Sequence, residues 1–223
     1  GGSVRCLSVY EGIEVEGETR GLITYMRTDS VRVSDGAINE VREQIGQLHG
    51  PDYVPDAPNT YKTKNSAQDA HEAIRPTSVA LHPDKIKHLL SQDQSRVYEL
   101  IWKRFVASQM KPQVLSITTV NVNAGSYVLR ATGNIVKIDG FTVLYSESKE
   151  DDDDDGVGSV PDDIAVDHVL ALSELMPEQH FTKPPPRYTE ASLVKELEAQ
   201  GIGRPSTYAQ IITTLSLIHI SEP

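Results

Sequence analysis

The spacing of the apolar residues changes once along this chain, and that change limits the fold more than any other feature. Up to Met110 the apolar side chains recur every three or four residues, as in Ile38, Val41, Ile45 and Leu48, and again in Val97, Leu100, Ile101 and Phe105. That period lays each set along one stripe of an α-helix. From Val114 onward β-branched residues alternate with others, the period of a strand. The expected fold class is therefore α+β: a helical unit over 1–111, a β-rich unit over 112–183, and the start of a further helical unit over 184–215.

Local signals place the elements. Val4 to Ile13 reads as a short helix and Glu14–Arg20 as a polar turn. Ser34 and Asp35 open a helix that Gly50-Pro51 stops. Pro51 to Pro58 reads as a loop. Ala67 to Ile74 reads as a helix ended by Pro76, which puts His71 and Arg75 on one helix face. A further helix spans about Gln94–Met110, with Trp102 anchoring its core. The strand candidates are Val114–Asn123, Tyr127–Thr132, Asn134–Ile138 and Phe141–Tyr145, with Asp139-Gly140 as a hairpin signal. The alternation breaks between Ile117 and Val120, which predicts a bulge or two-sided burial. Asp167–Met176 is expected to return as a strand to the same sheet. After the stiff connector Pro184-Pro-Pro186, Thr189 caps a helix with Leu193, Val194 and Leu197 inward, and Ser206 starts another after the Gly201-Ile-Gly-Arg-Pro205 turn.

Charge decides less than it first promises. The net charge of −11 comes entirely from residues 147–178, which hold twelve acidic residues and one lysine. The rest of the chain is neutral, so phosphate binding there would rely on local clusters rather than on a basic field. Consecutive aspartates Asp151–Asp155 point in different directions and show no calcium-loop spacing, so 149–163 is expected to be a mobile solvated loop that can be deleted. The single cysteine, Cys6, excludes a disulfide framework and a cysteine-ligated zinc site. No apolar run approaches the roughly 18 residues of a membrane span, and no signal peptide opens the chain. The expected location is cytoplasmic. The Gly1-Gly-Ser start, without methionine, predicts an excised or incomplete piece.

One segment carries chemistry. Gly21-Leu-Ile-Thr-Tyr-Met-Arg-Thr-Asp-Ser30 sets Tyr25 two residues before Arg27 and four before Asp29. In an extended segment residues i and i+2 project to the same side, so Tyr25 and Arg27 would face one ligand. A phenol needs cationic help to become a nucleophile, and a guanidinium also binds phosphate with a fork of donors. A half-buried strand with ordinary polar side chains accounts for the same pattern. His71-Glu72 hints at a zincin, but position 75 is arginine where a second histidine is required, so no metal site is expected.

This segment resembles the active-site tyrosine signature of type IA DNA topoisomerases, nearest to the bacterial topoisomerase I branch. His71-Glu-Ala-Ile-Arg-Pro-Thr77 resembles a second block of that family. Arg187-Tyr-Thr-Glu-Ala-Ser192 through Gly201-Ile-Gly-Arg-Pro-Ser-Thr-Tyr-Ala209 resembles a third, in the same order. The resemblance implies that Tyr25 attacks a DNA phosphodiester, keeps the 5′-phosphate and releases a 3′-hydroxyl, and that religation needs no ATP. It implies catalytic roles for Tyr25, Arg27 and His71. Asp29, Arg75, Arg204, Ser206 and Thr207 are the expected DNA contacts, with Arg204, Ser206 and Thr207 clustered at a helix N-terminus.

The resemblance also implies a β arch over 112–183, single-stranded DNA as partner, a monomer, and a nucleoid-associated location. The family uses Mg²⁺ held by a Toprim domain that also brings a glutamate. Neither that domain nor the family's zinc ribbons is expected in these residues, so the fragment alone is expected to be inactive and to bind no metal. Residues 216–223 depart from the family pattern and read as a non-native tail. A non-catalytic single-strand-binding module is the alternative. A tyrosine recombinase or type IB enzyme is rejected because its tyrosine follows the arginine–histidine cluster, whereas here it comes first.

Overall fold

The computed structural model describes residues 2–15, 17–26, 30–62, 72–146, 160–161, 164–179, 181–182, 184–204 and 207–217. Helix and strand are mixed, as α+β requires, and the chain divides into two compact units, Gly1–Ala165 and Val166–Pro223.

The first unit is built on helices α1 (Gly2–Glu11), α2 (Asp35–His49), α3 (Pro83–Ile86) and α4 (Gln92–Ser108). A small hairpin, β1 (Ile13–Val15) with β2 (Glu18–Arg20), stands where a polar turn was expected. Ser91 opens α4 with a full capping box, its hydroxyl taking the Gln94 N–H while the Gln94 side chain takes the Ser91 N–H.

The core joins Val9 of α1, Leu22 and Ile23, Val41 and Ile45 of α2, Val79, and one face of α4. That face keeps the expected Trp102 and Phe105 but is rotated from the expected stripe. Tyr98, Trp102, Phe105 and Val106 are buried, whereas Leu100 is 56% exposed. Tyr98 donates to the Leu81 carbonyl at 2.7 Å and the Trp102 indole N–H to that of Val79 at 3.0 Å. Both polar tips thus find acceptors inside the fold, which is what permits burial. In α2 the inward stripe is Ala37, Val41 and Ile45, and Leu48 is exposed.

The expected helix over Ala67–Ile74 is corrected where it is described. Residues 67–71 lie outside the described residues, and 72–75 are not helical. They run beside the tyrosine segment instead, so no helix places Arg75.

Strands β3 (Val114–Ala124) and β4 (Tyr127–Ile138) form one antiparallel ribbon around a turn at Gly125–Ser126. Its bulge lies at Val114/Leu115, not between Ile117 and Val120. The Asp139-Gly140 signal is not a hairpin, and Phe141–Tyr145 is not a strand: Gly140–Val143 is a single 3₁₀ turn. Gly140, at φ 55°, brings the backbone so close that an added Cβ would lie 2.4 Å from the Pro112 carbonyl carbon. The glycine serves close approach at the root of the ribbon, where Phe141 N–H donates to Lys111 O.

In the second unit, Asp167–Met176 is not a strand, and among the described residues β3 and β4 pair only with each other. Strand-type composition without a partner edge does not make a strand. Helix α5 (Glu190–Ala199) starts at Thr189, as expected, with a capping box to Ser192, and α6 spans Tyr208–Leu217. The acidic loop lies outside the described residues except for 160 and 161, and so does the tail beyond Leu217. No described helix is long and apolar enough to cross a membrane.

Candidate active site

The segment that ends in Tyr25 is held from both sides. Gly21 passes under α1 so closely that a Cβ there would sit 2.6 Å from the Tyr10 carbonyl oxygen. That contact lets Leu22 N–H donate to Val9 O at 3.0 Å. Leu22 and Ile23 are both buried and anchor the segment in the core.

On the other side the 73–77 stretch pairs with it, with Ile23 opposite Pro76. Thr24 N–H donates to Arg75 O at 2.9 Å, and Thr77 N–H to Leu22 O at 2.9 Å. The Thr24 hydroxyl donates to Ala73 O at 2.7 Å and accepts from the Arg75 N–H at 3.0 Å. Thr77 Oγ1 donates to Gly21 O at 2.8 Å. Residues three positions apart on a helix could not provide this pairing, which explains why 72–75 leave helical geometry.

Past that clamp Tyr25 emerges with 57% of its surface exposed. Its ring meets Tyr10 edge-on, centroids 5.4 Å apart at 73°. The edge contact limits where the ring can swing. Nothing in the sequence spacing pointed to Tyr10, fifteen residues upstream.

Arg75 is turned inward. Its Nε lies 3.0 Å from Glu72 Oε1 and its Nη2 3.1 Å from Oε2, a two-point pair, while Nη1 donates to Pro76 O at 2.9 Å. The arginine side chain is only 12% exposed. Glu72 Oε1 also accepts the Ser34 N–H at 3.0 Å, at the start of α2. Ala73 N–H donates to Arg32 O at 2.7 Å. Glu40 of α2 takes Ser78 Oγ at 2.8 Å and Val79 N–H at 3.0 Å. The second block is therefore a brace tying the tyrosine segment to α2. Glu72 and Glu40 were missed as brace residues; the Glu beside His71 in the block was the available signal.

Burial works against ionisation of Glu72, but Arg75 and the Ser34 N–H outweigh it and hold its carboxyl below the ordinary glutamate range. Burial, helped by His82, lowers His49 from the usual histidine value. Both groups bind fewer protons folded than unfolded. Their contribution to stability is present above the unfolded values, about 6.5 for His and 4.5 for Glu, and is lost as pH falls through the lowered folded values. The melting temperature is expected to fall in two acid stages. Glu72→Gln should flatten the lower stage and leave the upper one. A Glu72→Gln curve parallel to the parent below pH 4.5 would contradict the brace.

Arg27, Asp29, His71 and Ser206 lie outside the described residues. In the second unit, Arg204 is exposed, its Nη1 donates to Gly203 O at 2.7 Å, and its N–H donates to Thr207 Oγ1 at 2.9 Å. Thr207 Oγ1 in turn donates to Arg204 O at 2.9 Å. The hydroxyl thus closes the turn before α6. Among the described residues no three His, Cys, Asp or Glu side chains group as a metal site would need.

Comparison with known proteins bears on this site. The profile of the DNA topoisomerase family matches residues 8–217. The chain is 51% identical over 213 residues to DNA topoisomerase 1 of Xylella fastidiosa (strain Temecula1), covering 93% of this chain and 26% of that protein. It is 49% identical over 195 residues to DNA topoisomerase 1 of Salmonella typhimurium, covering 87% of this chain and 22% of that protein. Its structure is similar to full-length topoisomerase I from Thermotoga maritima, with a TM-score of 0.72 and 39% identity, over 96% of this chain and 33% of that one. The chain spans about a quarter of the length of the curated relatives it matches.

Proposed function

The chain belongs to the DNA topoisomerase family, and on that premise we propose that it carries the nucleophile of a type IA enzyme. Tyr25 is that nucleophile. The observation that carries this reading is the clamp: buried Leu22 and Ile23, and the pairing with 73–77, hold a rigid segment whose next side chain is an open tyrosine.

The reaction is a transesterification. The Tyr25 phenol oxygen forms a bond to a DNA phosphorus as its proton leaves, and the bond from that phosphorus to the 3′-oxygen breaks. The 3′-oxygen takes up a proton and is released as a hydroxyl, leaving a 5′-phosphotyrosine. Because one phosphodiester replaces another, the reverse step reseals the strand without ATP. Arg27 and His71 hold the non-bridging oxygens and offset their growing charge. Arg75 positions the segment through Glu72 and the Thr24 pairing. Asp29, Arg204, Ser206 and Thr207 are assigned to the strand itself. Segments 1–111, 112–183 and 184–215 act as tyrosine domain, arch and single-strand contact. The substrate is a single-stranded region of negatively supercoiled DNA, and the protein acts as a monomer in the cytoplasm.

Mg²⁺ is the metal implied by the resemblance. The described residues offer no set of ligands for it, so no step here is derived through it. The two tests are paired. The 223-residue chain alone is expected to leave supercoiled plasmid unrelaxed with or without Mg²⁺. A chimaera in which residues 8–217 replace the matching quarter of a curated relative is expected to relax it. Relaxation by the chain alone, or none by a folded chimaera, would contradict the assignment. The single-strand-binding alternative predicts a folded, DNA-binding and inactive chimaera.

A further inference from the structure

Beside the clamp lies a cavity of about 410 Å³ that the reaction does not use. Its floor is apolar, formed by Val33, Ile74, Phe105 and Phe141. Its remaining character comes from Tyr61, Arg104 and Tyr145. The Arg104 guanidinium lies 4.7 Å over the Tyr145 ring, and the Tyr61 hydroxyl donates to Ser108 O at 2.6 Å, which leaves its ring as the free surface. Tyr61 is about half exposed and Phe105 is buried, so the aromatic side of the cavity opens to solvent over a closed floor. No carboxylate lines it among the described residues.

We propose that this cavity holds one unstacked base of single-stranded DNA, a reading that rests on the DNA substrate assigned above. Three observations meet there. A volume of 410 Å³ lies in the range of small-ligand pockets, enough for a flat heterocycle. Two tyrosine rings and a stacked guanidinium are the surfaces on which unpaired bases lie, and any base offers a π-face to them. Finally, the cavity wall includes Ala73 and Ile74, and Ala73 O is the acceptor of the Thr24 hydroxyl. The wall is thus bonded to the residue immediately before Tyr25. A base seated here would fix the register of the strand relative to the nucleophile.

The test uses the 223-residue chain and two fluorescent probes of equal length: a 15-nucleotide oligothymidylate and the same backbone made wholly of abasic units. The parent should bind the oligothymidylate more tightly than the abasic strand. Tyr145→Ala should cut the first affinity by about 5- to 100-fold, the range for losing one stacked base, and leave the second unchanged. If Tyr145→Ala fails to fold, Ala107→Leu, which fills the cavity, and Arg104→Gln, on an exposed position, serve in its place. Irradiation of the bound strand carrying 5-iodouracil should place cross-links on Tyr145, Phe141 or Tyr61. Equal affinity for both probes, an unchanged ratio in the folded variants, or cross-links confined to other residues would overturn the base site alone. Binding of neither probe would overturn it together with the DNA reading, whereas relaxation by the chimaera reports on Tyr25 chemistry independently.

Discussion

Tyr25→Phe is expected to abolish relaxation by the chimaera, by about 10⁴-fold or more, while leaving its folding and strand binding intact. Loss of a covalent nucleophile has no substitute within the site, so the residual rate is that of the uncatalysed background. The structural cost is small. Tyr25 is 57% exposed, and its ring contact to Tyr10 is an edge contact that phenylalanine keeps. Substitutions at exposed positions without special contacts stay within about 0.5 kcal/mol. The measurement pairs plasmid relaxation with thermal melting. A melting temperature that dropped along with activity would assign Tyr25 to structure rather than chemistry.

Trp102→Ala is expected to have the largest effect on stability, about 3–5 kcal/mol. The indole is 1% exposed, sits at the centre of the α4 face, and stacks edge-on with His82 at 4.6 Å. Removing it opens a cavity and leaves the Val79 carbonyl without its indole donor. For a unit of this size the loss corresponds to roughly 6–20 °C in melting temperature. Leu100→Ala on the same helix is the control: with 56% of its surface already in water it should cost less than about 1 kcal/mol. Equal losses from the two changes would contradict the assigned face of α4.

That pair of positions also shows where the sequence was legible and where it was not. The change from helical to strand period near Met110 is real: α4 ends at Ser108 and β3 begins at Val114. Periodicity located the helix and Phe105 on its inner face, and Trp102 was read as its anchor, but the pattern selected Leu100 for that face and passed over Tyr98. Tyr98 and Trp102 are buried only because the Leu81 and Val79 carbonyls accept their polar hydrogens, and a loop's carbonyls leave no trace in a hydrophobic pattern. The 72–75 stretch failed for the opposite reason. Its local preference is helical, yet pairing with Leu22–Thr24 overrides it, and such non-local hydrogen bonds are not a property of either segment alone. Gly140 was read as a turn signal when its real use is close packing against Pro112, which the residue type alone cannot distinguish.

At the site, Tyr25 was legible because the motif that resembles the family signature is a continuous run, Gly21–Ser30. Glu72 and Tyr10 were not, since their importance comes from a two-point pair to Arg75 and from an edge contact with the Tyr25 ring. The cavity at Tyr61, Arg104 and Tyr145 draws on three separated parts of the chain and so had no sequence signature.

The role of Tyr25 is tested most directly by trapping the chimaera on a single strand labelled on both sides of the cut, digesting it, and identifying the attached peptide by mass spectrometry. One adduct is expected, on Tyr25, joined to the 5′-phosphate of the downstream strand, with the upstream strand ending in a free 3′-hydroxyl. An adduct on another residue, or a tyrosine joined to a 3′-phosphate, would contradict it.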